Sequence, residues 1–327
     1  MMRLLVGDIG GTKTALGIAQ TDGETVTITA FRYYSNSAFD SLEQLLHRYC
    51  EDTGASCHFA SFAVAGPIQE RSCEITNLPW VMNADNLETS FGFSGVYLLN
   101  DLEAVAWGLA ALKPDDLAVL HPGAGAGIGN ACVVAAGTGL GQAGLYWDGL
   151  RHHPFATEGG HADFAPTDEL EFALLKHLQT RFGRVSWERV VSGMGIVNLY
   201  EFLLIHRCSV TPVWLKKAIE DGGDAAAAIA QAAADQRCPI CIETMQCFLR
   251  LYGREAGNMA LKHMAVGGVF LGGGIALKNL AAMQHGLFLD GFFDKGRMTP
   301  LLRQMSVQVI LQPQTPLLGA ARFVALQ

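Results

Sequence analysis

Residues 3–19 read Arg3-Leu-Leu-Val-Gly-Asp-Ile-Gly-Gly-Thr-Lys-Thr-Ala-Leu-Gly-Ile-Ala19, and how they fold decides the architecture. The apolar run Arg3–Val6 predicts a strand that enters a glycine turn at Asp8-Ile-Gly-Gly-Thr12. Ala15–Ala19 lacks the spacing of an amphipathic helix and predicts a returning strand. Residues 131–147 repeat the arrangement, with apolar Ala131–Ala136, the glycine turn Gly137-Thr-Gly-Leu-Gly141 and a strand at Leu145–Trp147. The weak repeat predicts two α/β halves, each headed by a β-hairpin.

The neighbouring segments fit that plan. Val26–Phe31 predicts a third strand completing a meander. Asp40 or Ser41 caps a helix carrying Leu42, Leu45, Leu46 and Tyr49. Phe59–Ala65 and Val96–Leu99 read as buried strands. Asp101 begins a helix whose apolar face is Leu102, Val105, Ala106, Leu109 and Leu112. Lys113-Pro-Asp-Asp116 breaks it, and His121–Gly129 reads as a loose, flexible loop marking a domain boundary. The second half is largely helical from about 167 to 264, with strands at Val269–Leu271 and Val307–Leu311. A last helix starts at Thr315 or Pro316 and runs to Phe323.

Composition limits the function. Glycine supplies 37 of 327 residues, 17% are charged and 50% are hydrophobic, where average usage is about 7% glycine and about 25% charged. Disorder needs the opposite balance, and 11 prolines disfavour a coiled coil. A net charge of −8 without a basic run argues against nonspecific binding to nucleic acid or an anionic membrane. Met1–Val6 is too short for a signal-peptide core. The longest apolar stretch, Ala265–Leu277, is broken by glycine and falls short of the roughly 20 residues of a membrane span. A cytoplasmic protein with reduced thiols is expected. Cys238-Pro-Ile-Cys241 and Cys247 lack a second ligand pair and read as buried structural thiols.

The glycine turns call for a phosphate-binding reading, and the alternatives separate. No Gly-x-x-x-x-Gly-Lys-Ser/Thr occurs, which excludes a P-loop. A literal Gly-x-Gly-x-x-Gly at Gly139, Gly141 and Gly144 runs into a strand, where a dinucleotide fingerprint must open a helix. What remains is a pair of hairpins offering backbone N–H groups to phosphate oxygens, with glycine allowing positive φ and close approach. Asp8 is placed to hold the water shell of Mg2+, and the Thr12 and Thr138 hydroxyls add donors. Taken singly, either hairpin is equally an ordinary turn; two at matching places argue for a ligand.

Asp8-Ile-Gly-Gly-Thr12, Ala136-Gly-Thr-Gly-Leu-Gly141 and Leu271-Gly-Gly-Gly-Ile275 resemble the two phosphate motifs and the adenosine motif of the actin-like ATPase superfamily. Leu99-Asn-Asp-Leu-Glu-Ala-Val-Ala106, Glu158-Gly-Gly-His-Ala-Asp-Phe-Ala-Pro166, Glu188-Arg-Val-Val-Ser-Gly193 and Gly267-Gly-Val-Phe-Leu-Gly-Gly-Gly274 narrow this to a resemblance to bacterial glucokinases, running nearly end to end. Lys13 instead resembles the related repressor/ORF/kinase family. That family's zinc-binding cysteines after the Gly-His element have no counterpart before Cys208, and no room for DNA-binding helices precedes Met1, so zinc and DNA are not expected.

The resemblance implies a two-domain actin-like ATPase (ribonuclease H-like) α/β fold with a cleft between the domains. The small domain would span 1–111, completed by a C-terminal helix at about 301–327, and the large one 112–300. It implies ATP-dependent phosphorylation of glucose at its 6-hydroxyl, with Mg2+, in a homodimer. Another hexose (mannose, fructose or an N-acyl amino sugar), another donor (ADP or polyphosphate), or a silent sugar or nucleotide sensor stay open. Phosphoryl transfer needs a proton acceptor, and Asp101 is the candidate; read alone, it is also an ordinary helix cap. The resemblance places Asn100, Asp101, Glu158, His161 and Glu188 on the sugar, with Gly159–Gly160 letting it approach the backbone. Glu188 is equally a residue at a helix start capped by Ser186, and Asn77, in a loop at the cleft floor, is a further sugar candidate and equally a turn residue. The nucleotide would meet Gly7, Asp8, Ile9, Gly10, Gly11, Thr12 and Lys13, then Gly137, Thr138 and Gly139, then Gly272, Gly273 and Gly274. Trp80 and Trp107 read as core residues.

Overall fold

β1 (Met2–Ile9) and β2 (Lys13–Thr21) form the first expected hairpin, and β3 (Val26–Ser35) completes the antiparallel meander. The computed structural model describes residues 1–23, 25–75 and 78–327; Asn77 lies outside them. α1 (Leu42–Thr53) is capped by Ser41, whose side chain accepts the Gln44 N–H, and buries Leu42, Leu45, Leu46 and Tyr49 as expected. β4 (Phe59–Val64) is followed by the short strands β5 (Ile68–Gln69), β6 (Ser72–Glu74) and β7 (Val81–Asn83), then α2 (Ala84–Phe91). β8 (Gly95–Asn100) leads directly into α3 (Asp101–Gly108).

These strands form a five-stranded sheet ordered β3-β2-β1-β4-β8, in which β1, β4 and β8 run parallel. The two-residue period of β1 divides its side chains between two cores. Leu5 and Ile9 pack with α1, whereas Leu4 and Val6 pack with Leu317, Ala320 and Val324 of the C-terminal helix. Burying a side chain of this size contributes about 1.5–3 kcal/mol.

The remaining elements are β9 (Leu117–His121), β10 (Ala131–Ala136), β11 (Leu140–Trp147), β12 (His152–Thr157), α4 (Glu169–Phe182), α5 (Gly193–His206), α6 (Val213–Gly222), α7 (Ala225–Ala234) and α8 (Pro239–His263). They are followed by β13 (Gly268–Gly272), α9 (Gly273–Lys278), α10 (Leu280–Gln284), α11 (Leu287–Phe293), α12 (Thr299–Leu302), β14 (Val307–Ile310) and α13 (Thr315–Ala325). The second sheet is ordered β12-β11-β10-β13-β14-β9. Its first five strands repeat the order of the first sheet, so the repeat seen at two hairpins extends to a whole topology. By contact density the chain divides into one unit of Met1–Leu117, Ala143–Ala156 and Leu311–Gln327 and another of Ala118–Gln142 and Thr157–Ile310.

Two local expectations are corrected and one strand is added. Of the expected α3 face Leu102, Val105, Ala106, Leu109 and Leu112, only Ala106 is fully buried; Leu102, Val105, Leu109 and Leu112 are half-buried, and the other buried residues of α3 are Ala104 and Gly108. A Cβ at Gly108 would strike Thr315, and one at Gly319 would strike the Ala104 carbonyl, so α3 and α13 approach through small residues. The Gly123–Gly129 segment is not a loose loop. Ala124 and Gly125 donate to the carbonyls of Arg303 and Gln304, and Gly123 has φ +73° against the Gln304 backbone. Finally, Leu117–His121, unread in the sequence, is a strand beside β14. Trp80 is core, 4% exposed. Cys238 and Cys241 are buried where Pro239 opens α8.

Candidate active site

In the first unit the candidate residues collect at the carboxyl ends of parallel strands, the edge where open α/β sheets bind ligands. β1 ends in the turn Gly10–Thr12, in which Gly10 N–H donates to the Lys13 carbonyl at 3.1 Å. Asn36, 1% exposed, closes the turn from outside. Its Nδ2 donates to the Gly10 carbonyl at 2.7 Å, its Oδ1 accepts from Thr14 Oγ1 at 2.8 Å, and its backbone N–H reaches the Thr12 carbonyl at 3.0 Å. Nothing in the sequence pattern marked Asn36. Thr12 and Lys13 are exposed, whereas Ile9 is wholly in the core and Gly7 lies in mid-strand, where a Cβ would meet Leu16 and Phe62. The side of β1 carrying Gly7 and Ile9 therefore serves packing.

Asp8 lies near the end of β1, and Asp101 follows the end of β8. Burial, and then the negative charge of Asp101, raise the Asp8 carboxyl to about 7. The cap of α3 is Asn100, not Asp101: Asn100 Oδ1 accepts the N–H groups of Leu102 at 3.0 Å and Glu103 at 3.3 Å. Asp101 is thus the first helical residue, with Oδ1 accepting the Leu102 N–H at 2.8 Å.

In the second unit β10 ends in the turn Gly137–Gly139. Gly137 N–H donates to the Gly139 carbonyl at 2.9 Å, and its own carbonyl accepts from Gly193 N–H at 2.8 Å. Thr138 is exposed. Leu140 N–H donates to Glu188 Oε2 at 3.0 Å, and a Cβ at Gly139 would lie 2.5 Å from that oxygen. Glu188 sits in a 3₁₀ turn, Trp187–Arg189, and the Ser186 side chain makes no capping bond there. Gly272, the last residue of β13, pairs with Ala135 of parallel β10. Gly273 has φ +81° and no space for a Cβ beside Ala136, whereas Gly274 faces open space. The second phosphate motif and the adenosine motif are therefore neighbours. Among the glycines of the quoted motifs Gly268 (φ +128°) and Gly273 (φ +81°) use positive φ, whereas Gly10, Gly137 and Gly139 of the two turns do not, which corrects that part of the reading.

Glu158 and His161 flank a 3₁₀ turn, Gly159–His161, with Oε2 and Nε2 3.8 Å apart and side chains 74% and 59% exposed. The turn is strapped to the Glu188 segment. Trp187 N–H donates to the Ala162 carbonyl at 2.9 Å, and Arg184 Nη2 donates to the His161 carbonyl at 2.8 Å. So the structure brings Glu158, His161 and Glu188 together around the start of β11. Gly159 and Gly160 are corrected: their missing Cβ atoms make room for Gln142 and the Leu140 carbonyl, not for a sugar.

This duplicated topology, with glycine turns at equivalent strand ends and acidic residues beside them, defines a kinase of the actin-like ATPase fold. A glucokinase structure from an Antarctic psychrotroph superposes with a TM-score of 0.86 at 28% identity, covering all of both chains. At 20% identity and a TM-score of 0.63, a glucokinase of the repressor/ORF/kinase family from Streptomyces griseus, in complex with glucose and AMPPNP, shares the fold over 98% of each chain. The chain belongs to the glucokinase family: the family profile "Glucokinase" matches residues 5–327. A glucokinase of Nostoc punctiforme is 40% identical over 98% of both chains. Among the described residues no helix is long and apolar enough to cross a membrane.

Proposed function

We propose that this enzyme of the glucokinase family transfers the γ-phosphoryl group of ATP to the 6-hydroxyl of glucose, with Asp101 as general base. The observation that carries the assignment of the base is the division of labour at the start of α3, where Asn100 takes the cap and Asp101 follows the end of β8. Asp101 accepts the proton of the 6-hydroxyl as that oxygen attacks phosphorus, a contribution of about 10²–10⁴-fold for a positioned base. Asn100 has committed Oδ1 to the helix and offers its amide N–H groups to the 3- and 4-hydroxyl side. Glu158, His161 and Glu188 engage the 1- to 3-hydroxyl side; the exposure of Glu158 and His161 suits them to a ligand.

The turn N–H groups and the hydroxyls of Thr12 and Thr138 receive phosphate oxygens. Gly274, open where a Cβ would stand, leaves room beside the adenosine. The acidic pair Asp8 and Asp101 fits a hard divalent cation, since the charge of one already raises the other. Among the described residues no cluster of three or more His, Cys, Asp or Glu could hold a metal. Mg2+ would accordingly be held by Asp8 through water, with phosphate oxygens completing its shell, and when bound it neutralises phosphate charge. The family resemblance adds a cytoplasmic homodimer, which cell fractionation and equilibrium sedimentation check. The activity is tested with purified protein, a panel of hexoses, and ATP, ADP or polyphosphate as donor. Glucose with ATP and Mg2+ is expected to give the highest kcat/KM; a different preferred pair would reassign the substrate.

A further inference from the structure

Gln142 and Glu255 have no part in that chemistry, yet they are 1% and 0% exposed beside it. Gln142 lies on β11 just beyond the second glycine turn, and Glu255 lies within α8. Gln142 Nε2 donates to Glu255 Oε1 at 2.7 Å, and Asn258 Nδ2 donates to Glu255 Oε2 at 3.0 Å. Burial pushes the Glu255 carboxyl up, while both amide donors and the charges of Lys262 and Lys295 act the other way. A carboxylate this deep is expensive to keep unless it fixes something.

What it fixes is the orientation of Gln142. With both Glu255 oxygens accepting from amides, the Gln142 NH₂ faces Glu255 and its oxygen faces away. That oxygen is buried without a hydrogen-bond partner among the described residues and lies against Gly159. The Gln142 carbonyl accepts from Thr157 Oγ1 at 3.3 Å, and Thr157 Oγ1 accepts the Gly159 N–H at 3.2 Å. Side chain and backbone of one residue thus seat both sides of Glu158, whose carboxylate faces His161.

We propose that Glu255, acting through Gln142, is a positioning residue that sets the Thr157–His161 turn and thereby places Glu158 and His161 for glucose. This rests on Glu158 and His161 being sugar ligands. With Glu255 gone, the Gln142 amide loses its fixed orientation and the turn loses its seat, while the turn Gly137–Gly139 keeps its own bonds to Glu188 and Gly193.

The test is steady-state kinetics with thermal melting for wild type, Glu158→Gln, Glu255→Ala and Glu255→Gln. Glu255→Ala should raise the glucose KM about tenfold, the scale of one buried hydrogen bond, with the ATP KM nearly unchanged and kcat less affected. Glu255→Gln keeps an acceptor for Gln142 and should restore most of the glucose affinity. If Glu255→Ala does not fold, Asn258→Ala replaces it, with a rise in glucose KM of about threefold expected from the loss of one of the two donors. An unchanged glucose KM in these variants, alongside a raised one in Glu158→Gln, overturns the positioning role alone. An unchanged glucose KM in Glu158→Gln overturns the sugar reading beneath it as well. Parallel loss of kcat and both affinities, without rescue by Glu255→Gln, also contradicts the proposal.

Discussion

In the first glycine turn a single buried amide closes the loop, with Asn36 bonded to Gly10, Thr12 and Thr14. In the second, the loop is held by partners from further along the chain: Glu188 on Leu140 N–H and Gly193 on the Gly137 carbonyl. The first turn is therefore closed by one residue that is not itself a candidate ligand. The second shares its strand with the seat of Glu158 and His161, and Glu188 is itself a candidate sugar ligand. Two hairpins with one sequence pattern are held in different ways, and under the proposed function the second turn would join phosphate to sugar through Glu188.

The largest effect should come from placing a methyl group on the second turn, with the first turn as the control. Gly139→Ala puts a Cβ 2.5 Å from Glu188 Oε2 and must displace it. It should lower kcat/KM by about 100-fold, the scale of removing an interaction of about 2.7 kcal/mol, and weaken glucose as well as ATP. Gly10→Ala meets only the Lys13 carbonyl, at 3.2 Å, and should disturb ATP alone, by a few-fold. Equal effects on both substrates from both variants would erase the distinction.

Asn36→Ala comes next. It leaves the Gly10 carbonyl and the Thr14 hydroxyl without their buried partner, at a cost of about 1–3 kcal/mol. The ATP KM should rise by about tenfold, while glucose affinity measured by calorimetry stays put. Coupled loss of glucose binding would show that the first turn also bears on the sugar.

The smallest effect is on stability. In the unfolded chain Asp8 titrates near 3.8, and in the folded protein at about 7. Below 3.8 both states are protonated, and Asp8→Asn should melt with wild type. As pH rises from 3.8 the unfolded chain ionises while folded Asp8 keeps its proton, so the wild type loses stability until the loss is complete above about 7, where the buried carboxyl ionises too. Without nucleotide or metal, Asp8→Asn should melt a few degrees higher at pH 8, with the gap closing on acidification. A gap independent of pH would refute the cause.

Much of the fold was legible because its strands announce themselves. Both hairpins, the Leu42–Tyr49 face and the strands leading to Asn100 and Gly272 follow from local periodicity and glycine punctuation. What was not legible depends on close approach. Periodicity put Leu102 and Val105 inward on α3, but a helix that touches its neighbour through Ala104 and Gly108 buries small residues more completely. The same blindness made Gly123–Gly129 look idle, although Gly123 has no room beyond its hydrogen atoms. At the site, the residues with reactive groups were readable, and those that hold them were not. Asn36 stands 26 positions from Gly10, and Glu255 stands 113 from Gln142. A buried glutamine in an apolar strand was the one available signal for the second pair.

The central claim is that Asp101 takes the proton while other residues hold the sugar. Measuring glucose binding by calorimetry and ADP release by a coupled assay on Asp101→Ala separates the two. The account predicts glucose affinity within a few-fold of wild type and turnover reduced by at least about 10²-fold. Retained turnover would contradict it.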